Sequence, residues 1–444
     1  MTTSISSPAE TSDKEGVDHL RSLAATARVI RVIHPDLFGR QRGKQFPARM
    51  ADSLLDGLAY SKVSLAEDLM GVPVSAAEFP DLAGHPDLHA RIDASSAFVP
   101  PWEPDAVWVL SRLFEQGRPS ALCVRSQVQA AHMLLQSSLG FSAVAAGEPE
   151  FYLFENGQQG SRPIPYATDG VSYTIDRITD PSGAVGRIHR QLLELPIGVT
   201  AINREFSPGQ FEVNLGHAAV ETAADQAFLL KSAVKELAIL EGLRANFMAK
   251  PLSGEEGSSL HVHMSLWTLL DGRGNVFASP DASISDTARH AIAGVQEHAA
   301  AIVAFAAPTV NSYKRLFGEG LSPTTSNWAE DNRFSFLRVP GERGSATRFE
   351  LRAGDASANP HLLLAAILHA VRDGIERKLQ PQAEGLPLPR TLAHALDALN
   401  ADPLMTQGFG GEFIATYTAL KRAEIRSLDA LVSDTEWNLY QTHA

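Results

Sequence analysis

The sequence predicts an α+β protein with a small N-terminal domain and a large second domain. Short strand-like runs bounded by turn residues are interspersed with segments of helical period. A polar stretch at 117–120 reads as a linker between two regions. The 444 residues are 44% hydrophobic and 20% charged, the balance of a folded chain with a core that needs no disulfide staples.

Residues 1–19, rich in Ser, Thr and acids, are expected to form a disordered tail. Residues 20–116 make the small domain. Within it, 29–34 (VIRVIH) and 107–114 read as strands, 38–44 as a Gly/Arg-rich turn, and 100–104 as a proline loop around Trp102. The run 39–45 has the glycines and lysine of a phosphate loop. Its spacing is too short and Gln45 stands where Ser or Thr is required, so it reads as a surface turn. In the large domain, 117–444, a helix is expected over 125–139, stopped by Gly140. Strands follow at 151–154, 211–213, 260–266 and 348–352, with helices at 185–193, 223–238 and 287–306 between them. Asp271 to Gly274 reads as a hairpin turn. A last apolar helix over 361–379 opens after Asn359, with Pro360 in its first turn.

Charge and cysteine content narrow the function. Lys plus Arg is 38 and Asp plus Glu is 51, a formal charge of −13. Such a surface repels phosphate backbones and anionic lipid, so neither nucleic acid nor membrane is expected as a partner. The single cysteine, Cys123, cannot form an internal disulfide and reads as a small buried hydrophobe, which makes a reducing cytoplasm the expected compartment. The N-terminus lacks the basic and apolar regions of a signal peptide. The longest apolar stretches, 299–307 and 362–368, fall far short of the ~20 residues of a spanning helix.

The chemistry lies in ionisable residues spaced two apart: Glu148 and Glu150, His261 and His263, Arg348, Glu350 and Arg352. A fourth segment places Glu205 and Glu212 on either side of a Ser-Pro-Gly turn. Residues i and i+2 share a face of a strand, so each segment projects charged or ligating groups to one side. Any single pair reads more naturally as a solvated strand face. As a set they lie in one domain and are flanked by core-like runs (FYLF, FEVNL, LHVHMSLW, RFELR). If the strands are neighbours, five glutamates, two histidines and two arginines converge. Carboxylates with imidazole suit Mg²⁺ or Mn²⁺, and five carboxylates suit two or three ions rather than one. Arginines beside such ions point to phosphoryl transfer.

Six blocks in order, GEPEFYLFE (147–155), EFSPGQFEVN (205–214), GSSLHVHMSL (257–266), NSYKRL (311–316), DNRFSFLRVP (331–340) and RFELRAGDASANPHL (348–362), resemble the type I glutamine synthetase family of ATP-dependent glutamate–amine ligases. The resemblance runs from about Ala27 onward. It implies an N-terminal β-grasp-like domain and a catalytic domain with a curved antiparallel sheet flanked by helices. It also implies active sites completed by neighbouring identical subunits in a dodecamer.

Carried onto this chain, the resemblance makes Glu150, Glu205 and Glu212 the ligands of one metal. Glu148, His261 and Glu350 become those of a second, at the ATP phosphates. Arg315, Arg352 and the backbone at Gly257 would hold glutamate, with Tyr173 in the same pocket. Arg333, Arg338 and Arg348 would face the ATP phosphates and transition state, and His263 and Ser265 the nucleotide. Catalysis would rest on Arg315, Arg338 and Glu205. The implied reaction is attack of the glutamate γ-carboxylate on ATP, then displacement of phosphate by an amine.

Departures from the family pattern point to the amine. Family members that use ammonium carry a flap glutamate where this chain has Leu321, between Arg315 and Pro323, which both align. The second ammonium-binding acid lies in an Asp-Gly-Ser-Ser loop; 56–62 offers Asp56-Gly57 without the serines. Leucine neither holds a cation nor accepts its proton, so the expected acceptor is a small organic amine, with Glu205 or Glu319 as its base. Glutamine synthesis from ammonium and a non-catalytic regulatory homologue are the alternatives. Glu256 replaces an asparagine that touches the substrate glutamate. The stretch 377–385 has no tyrosine, so control by adenylylation is not expected.

Overall fold

The computed structural model describes residues 8–73, 86–157, 163–269, 274–318 and 320–442. Its architecture is α+β, with two sheets. The first contains β1 (Val29–Pro35), β2 (Gln41–Pro47), β3 (Leu58–Ser61), β4 (Asp87–Ile92), β5 (Ala106–Glu115) and β6 (Arg118–Pro119). Its order is β2-β1-β5-β4-β3, with β6 on β5, and only β1 and β5 run parallel.

The second sheet has the order β13-β14-β15-β12-β7-β9-β8. Its strands are β7 (Phe141–Glu155), β8 (Val199–Arg204), β9 (Gln210–Leu215), β10 (Ala218–Ala219), β11 (Leu243–Asn246), β12 (Leu260–Thr268), β13 (Trp328–Glu330), β14 (Leu337–Val339) and β15 (Phe349–Leu351). The long strand β7 organises it. Phe141–Pro149 pair with β12, and from Glu150 the chain pairs with β9, then β11. Helices Val124–Leu139, Val220–Leu240 and Pro360–Arg377 cover the apolar side. The core is continuous between the two sheets: Ile30 and Val107 belong to the same buried cluster as Val128, Leu135, Leu363 and Ile367. Cys123 is buried within it.

Several expectations need correction. The disordered tail expected over residues 1–19 is helical from Pro8, in a helix running to Ala24 whose Leu20 is fully buried. The surface turn expected over 38–44 is in its second half strand β2, a hairpin partner of β1. The linker at 117–120 is the return strand β6. The helix expected over 287–306 is two, Asp286–Glu297 and Ala299–Ala306, broken at His298. That imidazole is clamped between Asp402 Oδ2 at 2.6 Å and Asp373 Oδ2 at 3.1 Å, which holds the chain at the break. The turn at 271–274 falls largely outside the described residues, as does Glu319. Among the described residues no helix is long and apolar enough to cross a membrane.

Candidate active site

Strand register turns the spaced pairs into a continuous band. Asn203 on β8 faces Glu212 on β9, and Glu212 faces Glu150 on β7. Glu148, two residues back along β7, faces His261 on β12; His263 faces Glu350 on β15, and Glu350 faces Arg338 on β14. Opposed side chains in antiparallel pairs stand ~5 Å apart, so six strands deliver one polar surface. The surface lines a cavity of about 700 Å³.

The carboxylates repel one another. Burial and the neighbouring charges of Glu148, Glu150 and Glu205 push Glu212 up to about 9. Burial and Glu150 raise Glu205 to about 7, although its Oε1 accepts a 2.7 Å bond from Asn203. Burial also opposes ionisation of Glu148, but the imidazoles of His261 and His263 outweigh it and hold Glu148 below the usual carboxylate range. Glu150 is fixed by Ser259, through N–H at 2.9 Å and through the hydroxyl, and by Gln210 Nε2 at 2.9 Å. A dense set of carboxylates, two of which hold protons above the usual range for want of a counter-charge, fits a divalent cation. Two groups of donor atoms lie within 4.8 Å of one another: Glu148, Glu212 and His261, and Glu148, His263 and Glu350. These groups include His263, which the sequence expectation placed at the nucleotide, and they share Glu148.

Arginines close the rest of the wall. Arg338 donates to Glu350 at 2.8 Å and to the exposed Asp331 at 2.6 Å. Arg352 also meets Glu350 and donates to the Arg333 carbonyl at 2.8 Å. Arg348 Nε donates to His263 Nδ1 at 3.2 Å. Buried Arg315 is held by the Ala353 carbonyl at 3.2 Å. A Cβ on Gly257 would lie 2.6 Å from Arg315 Cγ and 2.5 Å from the Ala249 carbonyl oxygen, so only glycine lets the arginine pass. If Arg315 holds glutamate, as the sequence resemblance implies, Gly257→Ala should raise the KM for glutamate by about tenfold or more, with a smaller change in the KM for ATP. Steady-state kinetics with each substrate varied will check this.

Of the residues singled out from sequence, Glu148, Glu150, Tyr173, Glu205, Glu212, Gly257, His261, His263, Arg315, Leu321, Arg333, Arg338, Arg348, Glu350 and Arg352 all line this cavity. Ser265 does not; its Oγ accepts from Trp267 Nε1 at 3.0 Å, farther along β12. Asp56 does not reach this chain's cavity either. Asn203, Gln210, Asn214 and Ser259 were missed, although each lies in or beside a quoted block, and their amides and hydroxyl orient the glutamates. Glu256 lines the cavity and reaches the flap: its Oε2 would lie 2.5 Å from a Cβ on Gly320.

Residues 121–440 match the family described as glutamine synthetase, catalytic domain. The chain belongs to the glutamine synthetase family. It is 33% identical over 437 residues to a glutamine synthetase of Rhizobium leguminosarum bv. phaseoli, covering 93% of each. It is 31% identical over 435 residues to a glutamate–isopropylamine ligase of Pseudomonas sp., covering 93% of this chain and 94% of that one. A solved structure described as apo GmaS without ligand superposes with a TM-score of 0.84 at 30% identity, covering 95% and 99% of the two chains. Glutamine synthetase-family enzymes are carbon–nitrogen ligases that use ATP and divalent metals.

Proposed function

We propose that this family ligase joins the γ-carboxylate of glutamate to an organic primary amine, giving a γ-glutamylamide, ADP and phosphate. The observation that carries the reading is Leu321, an apolar side chain in the cavity wall, at the position where the family resemblance implies a flap glutamate in ammonium-using members. The similarity to a glutamate–isopropylamine ligase supports it.

Glu148, Glu150, Glu205, Glu212, His261, His263 and Glu350 would hold two or three Mg²⁺ or Mn²⁺ ions. Bound there, the ions supply neutralisation of phosphate charge. The chain's own groups do the rest. Arg315 and Arg352 hold glutamate's carboxylates beside Gly257 and Tyr173, so that a γ-carboxylate oxygen attacks the γ-phosphorus of ATP and ADP leaves. Arg333, Arg338 and Arg348 stabilise the charge on the transferring phosphoryl group. The amine nitrogen then attacks the carbonyl carbon of γ-glutamyl phosphate and inorganic phosphate leaves. An amine is protonated at neutral pH and must lose its proton first. Glu205 belongs to the metal donors; Glu256, whose carboxylate stands beside Gly320, is free to accept the proton. Leu321 helps keep water from the acyl phosphate.

Glutamine synthesis is the second reading, favoured by that same Glu256 carboxylate, which returns an acid to the flap from the opposite wall. Phosphate release with glutamate, ATP, Mg²⁺ and a panel of amines decides between them. Isopropylamine or a similar monoamine should give a higher kcat/KM than ammonium, and Leu321→Glu should shift that ratio toward ammonium by roughly tenfold or more. Ammonium as the best substrate of the unaltered protein would overturn the proposal.

A further inference from the structure

A second cavity, of about 410 Å³, lies apart from the catalytic one. It is enclosed by the β1–β2 turn, by helix Val220–Leu240, by the chain after β11, and by helix Gly411–Asp429. Its walls combine aromatic rings with cations. Lys231 and Lys235 are one turn apart on the same helix face, with Nζ atoms 5.7 and 5.6 Å from the Phe247 ring. On the opposite side Lys421 lies 4.3 Å from the Phe38 ring.

The acids in this region are already engaged. Asp36 takes Arg40 at 2.7 Å and Arg42 at 3.1 Å, and Glu424 takes Lys421 at 3.2 Å. Asp355 is engaged through Oδ1, which takes the N–H and hydroxyl of Ser357; its buried Oδ2 has no hydrogen-bond partner among the described residues, and its charge reaches Lys231 without an ion pair. Lys231 is buried, and its one protein hydrogen bond among the described residues is to the Ala358 carbonyl at 3.1 Å. An ammonium has three protons to donate. Among the described residues no carboxylate lies within 4 Å of Lys231 or Lys235. Two like charges at i and i+4 repel one another, and Asp355 and Asp36 offset this only from beyond ion-pair distance.

We propose that this cavity is a binding site for a small anion with an apolar body, such as an aryl- or alkyl-carboxylate. The carboxylate would bridge Lys231 and Lys235, and the apolar part would pack on Phe247 and its aromatic neighbours. Burial and the charge of Lys235 lower Lys231 to about 7, and an anion beside it would remove that strain. The site does not depend on which amine the catalytic cavity accepts.

The test is calorimetric titration of the full-length protein with 3-phenylpropionate, its neutral amide and inorganic phosphate. Glutamate, ADP and MgCl₂ are present throughout to fill the catalytic cavity. Phenylpropionate should bind once per chain, with the amide and phosphate each at least about tenfold weaker, since charge and apolar contact are both required. Lys231→Met should weaken phenylpropionate by roughly tenfold or more. Lys235 is on the exposed rim, so Lys235→Ala leaves the core untouched and should still weaken binding about threefold. No binding of phenylpropionate, equal binding of the amide, tighter binding of phosphate, or affinity unchanged in Lys235→Ala would each overturn the proposal.

Discussion

Glu350→Gln is expected to lower kcat/KM for amide formation by roughly a hundred- to a thousandfold. Glu350 is the side chain on which the two halves of the cavity meet. It is 1% exposed, it faces His263 across β12 and β15, and it receives Arg338 at 2.8 Å as well as Arg352. Burial alone would favour its protonated form. The adjoining imidazoles and guanidiniums reverse that and hold it below the usual carboxylate range. Glutamine keeps the shape but removes the charge, and its amide must turn a donor toward a guanidinium that is itself only a donor. Two arginines then lose their anchor, and one group of candidate metal donors loses one of its two carboxylates. Asp331→Asn separates this effect from a general loss of charge, because Asp331 also binds Arg338 but is 67% exposed. An exposed pair contributes only about 0.2–1 kcal/mol, so that variant should stay within a few-fold of the parent. Kinetics and Mg²⁺ titration of both variants check the contrast. A Glu350→Gln enzyme within threefold of the parent would defeat the reading.

How much of this was legible in the sequence depends on the range of each signal. Period-2 spacing made Glu148/Glu150 and His261/His263 visible, since it is a local property of a strand. The register that brings Glu212 opposite Glu150 and Glu350 opposite His263 is not local, and came only through the likeness of whole blocks. The first half of β7 went unrecognised because FSAVAAGEP is rich in Ala, Gly and Pro, residues with little strand preference. Those small side chains suit its position between β12 and β10, under helix Val220–Leu240. The break at His298 was hidden for a similar reason: the apolar pattern continues through it, and the cause is two acids from remote parts of the chain. The lysine-lined cavity left no trace in any local pattern, since Lys231 and Lys421 lie on separate helices brought together only by the fold.

Without divalent ions, Glu205 and Glu212 should contribute progressively less to stability as pH rises from about 5 to about 9, against the trend set by salt-bridged carboxylates and by buried His34, His369 and Lys231, which are shifted downward. The sign follows from the two raised groups. Folded Glu212 titrates near about 9 and folded Glu205 near about 7, whereas an unfolded glutamate titrates near 4.5. Between those values these two carboxyls hold more protons in the folded state than in the unfolded one, so their share of the free energy of unfolding falls with pH. The limit is about 1.4 kcal/mol per pH unit for each proton retained. Glu148 and Glu350, shifted downward, change stability only in the acid range below that window. Saturating Mg²⁺ should reverse the slope, because the ion binds the deprotonated cluster and stabilises the folded state more as pH rises. Glu212→Gln should flatten the slope in EDTA and weaken the Mg²⁺ effect, since it removes the group with the largest upward shift. Thermal melts in EDTA and in MgCl₂ across this range, on parent and variant, measure all of it. If Glu212→Gln left the pH dependence of the melting temperature in EDTA the same as the parent's, Glu212 would not be the raised carboxyl of this cavity.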